Sequence, residues 1–107
     1  MVKTADLVSY FLVAPGPRPP YYRVPRFLWG ENCNFDSDGD SEPNPHTTQW
    51  TELYVALRPD CKEIVTVDPI EAPELVLCIS SKNPELAYRA ASFLQKEAGG
   101  ELRKSWP

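Results

Sequence analysis

The 107-residue sequence contains few of the residues on which catalytic and metal centres usually depend. His46 is the only histidine, so one chain cannot supply a pair of histidines for acid–base catalysis or a multi-histidine metal site. The five glycines form no phosphate-binding loop. Cys33, Cys61 and Cys78 are odd in number and widely spaced, unlike a disulfide framework or a zinc knuckle. We therefore predict reduced thiols, no metal site, no cofactor and no enzymatic activity.

The sequence also has no long hydrophobic run. The longest, residues 7–14, is far shorter than the roughly 20 residues that span a bilayer, so we predict no membrane association. The first residues lack the small-residue cleavage pattern of a secretory signal, and we expect a cytoplasmic protein. The length suits one domain, residues 1–107, because two separate cores would each be too small to bury enough apolar surface.

Negative charge, in contrast, is plentiful and concentrated in the middle of the chain. The net charge is -4, but residues 31–74 alone carry eleven acidic against two basic side chains. Within this region, residues 31–46 are mostly Asp, Asn, Ser, Gly and Pro, and they predict an exposed acidic loop. A loop of this length is unusual in a compact domain, which indicates that it has a use.

Part of the predicted loop is similar to a calcium-binding loop. Oxygen-bearing side chains alternate through residues 34–40, and Gly39 occupies the sixth position of such a loop. The twelfth position requires a bidentate glutamate but holds Pro45, and neither flank has the pattern of a helix. We therefore predict no specific calcium binding and interpret these acids as solvated charge.

Hydrophobic periodicity predicts a small number of strands. Residues 6–13 are almost entirely apolar, as in a central strand covered on both faces. Residues 49–58 alternate between apolar and polar side chains, which is typical of a half-buried strand. Two β-branched runs follow at 64–68 and 75–80, and their short connections favour antiparallel pairing. Residues 21–29 have strand composition, but an internal proline confines them to a sheet edge or to irregular structure.

A C-terminal helix is predicted from both its start signal and its periodicity. Asn83 can cap the helix, Pro84 fits its first position, and Glu85 faces the positive end of its dipole. Apolar residues then recur at intervals of three and four as far as Ala98, where a Gly-Gly pair follows. The predicted fold class is α+β, with a small antiparallel sheet of about four strands and the C-terminal helix packed on one face.

The end of the last predicted strand and the helix carry a resemblance to a known class of proteins. Residues 80–94 read SSKNPELAYRAASFL. In a compact acidic α+β chain without catalytic residues, this run resembles immunity proteins of bacterial contact-dependent and other polymorphic toxin systems. The resemblance implies an inhibitor that binds and occludes a cognate toxin domain, often a basic nuclease. It assigns no individual binding residue.

The acidic segment and two tryptophans are the candidate binding site for such a partner. Carboxylates attract a basic protein over long range, and an aromatic side chain can anchor it at the centre of an interface. Ordinary solvated charge is the alternative interpretation of the same residues. The candidate partner-binding residues are Asp36, Asp38, Asp40, Glu42, Trp29 and Trp50.

Two functions of other classes also fit the sequence. A small carboxylate-dependent enzyme would use Glu52 and Asp68 if adjacent strands bring them together. A structural or regulatory subunit would bind its partner over Trp29. Arginines and aromatic residues alternate around Arg23 and Arg26, as they do in single-strand nucleic-acid sites, but the net negative charge favours edge packing, and we predict no nucleic-acid binding.

Overall fold

The structure is a computed structural model that describes residues 7–40, 44–71 and 73–105. One antiparallel sheet of six strands carries two helices, which confirms an α+β fold with an antiparallel sheet and a C-terminal helix. The spatial order is β2-β3-β4-β5-β1-β6. In chain order the elements are β1 (Val8–Val13), α1 (Arg23–Trp29), β2 (Phe35–Gly39), β3 (Leu53–Leu57), β4 (Ile64–Glu71), β5 (Leu75–Ser81), α2 (Pro84–Ala98) and β6 (Glu101–Arg103).

The sheet has a covered face and an open face. Both helices contribute to one core with the alternate strand residues that include Leu12, Val55 and Leu77, all fully buried. Both described helices pack on the same side of the sheet, while the residues of β1 are half-buried or buried along its whole length, on both faces. β1 does lie inside the sheet, between β5 and β6, so its backbone is paired on both edges.

The C-terminal helix begins and ends as the sequence predicts. The Oδ1 atom of Asn83 accepts hydrogen bonds from the backbone N–H groups of Glu85 at 3.0 Å and Leu86 at 3.4 Å. The helix ends at Gly99, which has a φ of 80° and donates its N–H to the carbonyl of Gln95. Three alanines of α2 are fully buried, and their small side chains let the helix lie close to the sheet: Ala87, Ala90 and Ala91.

The first helix replaces the edge strand or irregular segment predicted at 21–29. Pro25 is the third residue of α1, and an N–H group in the first helical turn has no intrahelical partner to lose. Val24 and Leu28, four residues apart, are both buried against the core, which is a helical spacing. A seven-residue segment rich in aromatic and β-branched residues gives too little periodicity to distinguish the two structures.

Two strands were not predicted, which raises the number from about four to six. The segment 31–46 is not all loop, because residues 35–39 form β2 and pair with β3 at the edge of the sheet. Its Asp, Ser and Gly residues have low strand propensity, but an edge strand with one solvated side tolerates them. β6 follows the Gly-Gly pair and pairs with β1, so that Leu102 packs against the core. Neither helix of the described chain combines the length and apolar character needed to cross a membrane.

Candidate protein-binding surface

The open face of the sheet brings together acidic residues from β2, from β4 and from the position just before β3. Asp38 of β2 pairs with Tyr54 of β3, and Tyr54 pairs in turn with Thr66 of β4. Paired residues of antiparallel strands project from the same face, so these side chains form a row across the sheet. Asp68 lies two residues after Thr66 and therefore projects from the same face.

This row borders a shallow depression of about 310 Å³ with an acidic lining. Glu52 directly precedes Leu53 and Asp68 directly follows Val67, and because Leu53 and Val67 are antiparallel partners, Glu52 and Asp68 lie across from each other at the same end of this strand pair. The lining includes the side chains of Asp38, Glu52, Tyr54, Thr66 and Asp68. All three carboxylates are exposed, and the ring of Tyr54 is 36% exposed. We call this set, Asp38, Glu52, Tyr54 and Asp68, the acidic face.

In the part of the chain that the structure describes, no cation forms an ion pair with the acidic face. Within the described residues, the ion pairs are Arg23–Glu97, Arg58–Asp36 and Arg103–Glu101, and none of them includes a carboxylate of the acidic face. Asp38 accepts one hydrogen bond, from the backbone N–H of Gly39 at 2.8 Å. The depression therefore presents three negative charges around one exposed aromatic ring.

Asp36, also predicted to bind a partner, is engaged within the chain. Its Oδ1 atom accepts a hydrogen bond from Arg58 Nη1 at 2.8 Å, and the two side chains are about half exposed. The Cys61 thiol donates to the other carboxylate oxygen at 3.5 Å. Desolvation, together with this hydrogen bond and the negative charge of Asp36, raises the pKa of Cys61. The thiol form is thus favoured, which opposes a nucleophilic role for this cysteine.

Asp40 holds the end of the β2–β3 hairpin. Its carboxylate accepts hydrogen bonds from the backbone N–H groups of Thr51 and Glu52 and from the Thr51 hydroxyl, at 2.9 to 3.2 Å. Burial by itself would raise the pKa of Asp40, but these hydrogen bonds outweigh it, and the pKa lies below its usual value. Asp40 therefore positions Glu52 for the acidic face and has little free capacity to bind a partner.

The structure separates both tryptophans from the acidic face. Trp50 is only 1% exposed, and its indole N–H donates to the carbonyl of Pro19 at 2.7 Å, so it belongs to the core and is not accessible to a partner. Trp29 packs against the core as a half-buried residue, and its Nε1 donates to Glu63 at 2.8 Å. The last predicted binding residue, Glu42, lies outside the described residues.

The alternating acids that are similar to a calcium loop belong to an extended segment. Alternation arises in β2 because successive side chains of a strand point to opposite faces. Among the described residues, no three His, Cys, Asp or Glu side chains converge on a point where they would hold a metal ion. The glycine at position 39 is explained by the strand pairing and needs no calcium loop, because its φ is 151° and a Cβ there would lie 2.2 Å from the Glu52 carbonyl oxygen.

The acidic face was only partly visible in the sequence. Glu52 and Asp68 were singled out as carboxylates that neighbouring strands would bring together, and both line the depression. Tyr54 was overlooked, although the alternation of β3 places it on the polar side of its strand.

Comparisons with protein-family models, with curated proteins and with solved structures found no match to this chain. The charge and shape of the acidic face are thus the observations that bear on function.

Proposed function

We propose that this chain is a cytoplasmic protein-binding inhibitor of the immunity type, which neutralises a cognate toxin domain by binding it directly. The observation that carries the proposal is the acidic face, an open depression in which three carboxylates, without an ion pair to any described residue, surround Tyr54. A surface of this kind complements a basic protein. Enzymes that act on nucleic acids bind the phosphate backbone through basic surfaces, so a nuclease toxin is the partner that best fits the charge.

Electrostatic complementarity supports fast and specific association. Like charges gathered on one face raise the encounter rate with an oppositely charged protein, and the effect weakens as salt increases. Tyr54 supplies what charge alone lacks, because a tyrosine ring with a polar tip is typical of the residues that dominate binding energy at interfaces. The partner's basic side chains would pair with Asp38, Glu52 and Asp68 around that ring.

A carboxylate-dependent enzyme is the second candidate, since Glu52 and Asp68 line the same depression. General acid–base catalysis needs two carboxyl groups in different environments, one of which holds its proton near neutral pH. Here both carboxylates are exposed on an open sheet face, which favours a binding role. Turnover distinguishes the two functions, because an inhibitor binds stoichiometrically and an enzyme acts repeatedly.

The test compares the wild-type chain with the triple variant Asp38→Asn, Glu52→Gln and Asp68→Asn. Each protein is immobilised and exposed to an extract of its source cell, and captured proteins are identified by mass spectrometry. We expect the wild type to retain a basic protein that the triple variant does not. The captured protein is then purified, and its enzymatic activity should fall to zero at one equivalent of the wild-type chain.

A second triple variant controls for the loss of charge. Asp60→Asn, Glu74→Gln and Glu85→Gln remove three exposed carboxylates outside the acidic face, and this variant should capture and inhibit like the wild type. A captured protein that retains full activity when saturated with the chain would disprove inhibition. If a small amount of the chain instead converted many equivalents of a substrate, the carboxylate-dependent enzyme would be favoured.

A further inference from the structure

The helical side of the molecule carries a second pocket, of opposite charge to the acidic face. It has a volume of about 320 Å³ and lies where α1 packs against α2. The lining consists of two arginines, three aromatic rings and one glutamate: Arg23, Arg26, Tyr22, Phe27, Phe93 and Glu31. Because the helices cover the other face of the sheet, this pocket is separate from the acidic face and from the function proposed for it.

Aromatic rings hold the arginine side chains in place around this pocket. Phe27 and Phe93 stack with their centroids 4.6 Å apart and an interplanar angle of 21°. Arg23 lies over the ring of Phe93 at 5.6 Å, and Arg89 lies over that of Phe27 at 5.4 Å. These contacts attach α1 to α2 and fix guanidinium groups that would otherwise move freely in solvent. Phe27 nevertheless remains 45% exposed at the surface.

Of the two arginines that line this pocket, Arg26 is the one that has no ion pair among the described residues. Arg23 Nη1 bonds to Glu97 at 2.9 Å, and Arg89 Nη2 donates to the carbonyl of Phe27 at 3.3 Å. Arg26 lies over the ring of Tyr22 at 5.0 Å, and among the described residues its side chain has no hydrogen bond or ion pair. A guanidinium held by its face keeps its N–H donors available at its edge.

We propose that this pocket binds a nucleoside monophosphate, or a phosphate monoester of similar size with a planar ring. The edges of Arg26 and Arg23 match the geometry of a phosphate, which arginine binds through two parallel hydrogen bonds. Tyr22 and the exposed edge of Phe27 offer apolar contact to the ring. Glu31 at the same pocket accepts hydrogen bonds from hydroxyl or amino groups, which a nucleoside carries and a simple anion lacks.

Pocket size favours a single nucleotide over a nucleic-acid strand. About 320 Å³ lies at the lower end of the range for small-molecule sites. A strand needs a longer positive groove with several free rings, whereas here the rings of Phe27 and Phe93 already stack on each other. Glu97 and Glu31 would also repel the neighbouring phosphates of a polymer.

An NMR titration with adenosine monophosphate tests the proposal. We expect saturable shifts in the ¹H–¹⁵N spectrum at the amides of Tyr22, Arg26, Phe27 and Glu31. Adenosine and inorganic phosphate should each bind at least about tenfold more weakly, because each lacks one part of the recognised ligand. Arg26→Gln should weaken binding about tenfold or more, since it removes the unpaired guanidinium.

Two further variants complete the test. Arg103→Gln, an exposed arginine on β6, is the matched control and should bind like the wild type. Arg26→Lys keeps the charge and the fold but lacks the planar fork, so it should recover only part of the affinity. Equal affinities of the wild type, Arg26→Gln and Arg26→Lys would overturn the proposal. So would equal affinities for adenosine monophosphate and phosphate, or at least tenfold tighter binding of a ten-residue thymidine oligonucleotide.

Discussion

Arg18 and Trp50 are joined by a buried hydrogen bond between the guanidinium Nε and the tryptophan carbonyl, at 2.9 Å. Arg18 is only 6% exposed, and its Nη1 also donates to the carbonyl of Gly16 at 2.9 Å. Desolvation lowers the pKa of Arg18, and the charge of Asp40 opposes this shift. Arg18 thus connects the proline-rich loop after β1 to the segment that precedes β3, and it is not available for binding a partner.

Replacement of Arg18 by Met should destabilise the protein by about 2 to 3 kcal/mol, because a buried and a partly buried carbonyl group each lose a charged donor. Chemical denaturation measured by circular dichroism gives the free energy of unfolding. Arg103→Met removes an exposed arginine and should leave the denaturation midpoint nearly unchanged. Similar midpoints for the two variants would show that the buried hydrogen bonds contribute little.

The two sides of α2 should respond differently to truncation. Leu94 is fully buried, so Leu94→Ala should cost about 2 to 5 kcal/mol through the cavity that it leaves. Lys96 is exposed, and Lys96→Ala should change stability by less than about 0.5 kcal/mol. Asn83→Ala removes the helix cap and should cost about 1 kcal/mol. In denaturant melts, Leu94→Ala should lose the most stability, Asn83→Ala less and Lys96→Ala the least. Equal losses for Leu94→Ala and Lys96→Ala would contradict the assigned faces.

Asp40 should make stability depend on pH in the acid range. Its pKa is lower in the folded chain than in the unfolded chain, so its contribution is complete above the unfolded value, about 3.9. The contribution decreases as pH falls through the folded pKa, where the carboxylate is protonated and its hydrogen bonds weaken. Urea melts should therefore show a difference in unfolding free energy between the wild type and Asp40→Asn that is larger at pH 7 than at pH 3.

A control separates this effect from general acid denaturation. Glu74→Gln removes an exposed carboxylate at the turn between β4 and β5, and its melting profile should run parallel to that of the wild type. A gap for Asp40→Asn that stays constant from pH 7 to pH 3 would mean that its hydrogen bonds do not depend on the charge.

Gly39 should tolerate a side chain less well than Gly30. Both have positive φ, of 151° and 106°, but a Cβ at Gly39 would lie 2.2 Å from the Glu52 carbonyl oxygen. Apart from Gly30 and its two chain neighbours, no atom of the described residues lies within 4 Å of a Cβ at Gly30. Gly39→Ala should therefore cost about 1 to 3 kcal/mol and more than Gly30→Ala, as measured by thermal or denaturant melts. A larger loss of stability for Gly30→Ala than for Gly39→Ala would contradict the close approach of Gly39 to the Glu52 carbonyl.

Binding kinetics should show how the acidic face acts on the identified partner. The association rate of the wild type should fall as salt rises, because ions screen charges beyond about 8 to 10 Å. Asp38→Asn, Glu52→Gln and Asp68→Asn together should lower the association rate and flatten this salt dependence. Tyr54→Ala should act mainly on the dissociation rate, since a central aromatic contact forms after the encounter.

Surface-immobilised partner and stopped-flow mixing both yield these rate constants. The variant Asp60→Asn, Glu74→Gln and Glu85→Gln should keep the wild-type rates and salt dependence. Unchanged association at low salt for the acidic-face variant would show that its charges are merely solvated and that the partner binds elsewhere.

Local chemical signals allowed part of the fold to be predicted. The cap at Asn83 and the spacing of apolar residues are read within a few residues of one another, and they predicted α2 correctly. The alternation in β3 likewise separates buried Val55 from exposed Tyr54, although Ala56, on the same face as Tyr54, is also fully buried. β2 was missed because its strand structure depends on pairing with β3, which overrides the low strand propensity of Asp36 and Ser37.

The same distinction applies to the candidate site. The sequence by itself determined that the middle of the chain is acidic and that a helix follows Asn83, and it predicted that Glu52 and Asp68 lie near each other on adjacent strands. Only the tertiary structure decided which carboxylates remain unpaired, because Arg58 reaches Asp36 and Thr51 holds Asp40 through contacts between residues distant in the chain. It likewise buried Trp50, since the burial of a large side chain depends on all the elements that pack around it.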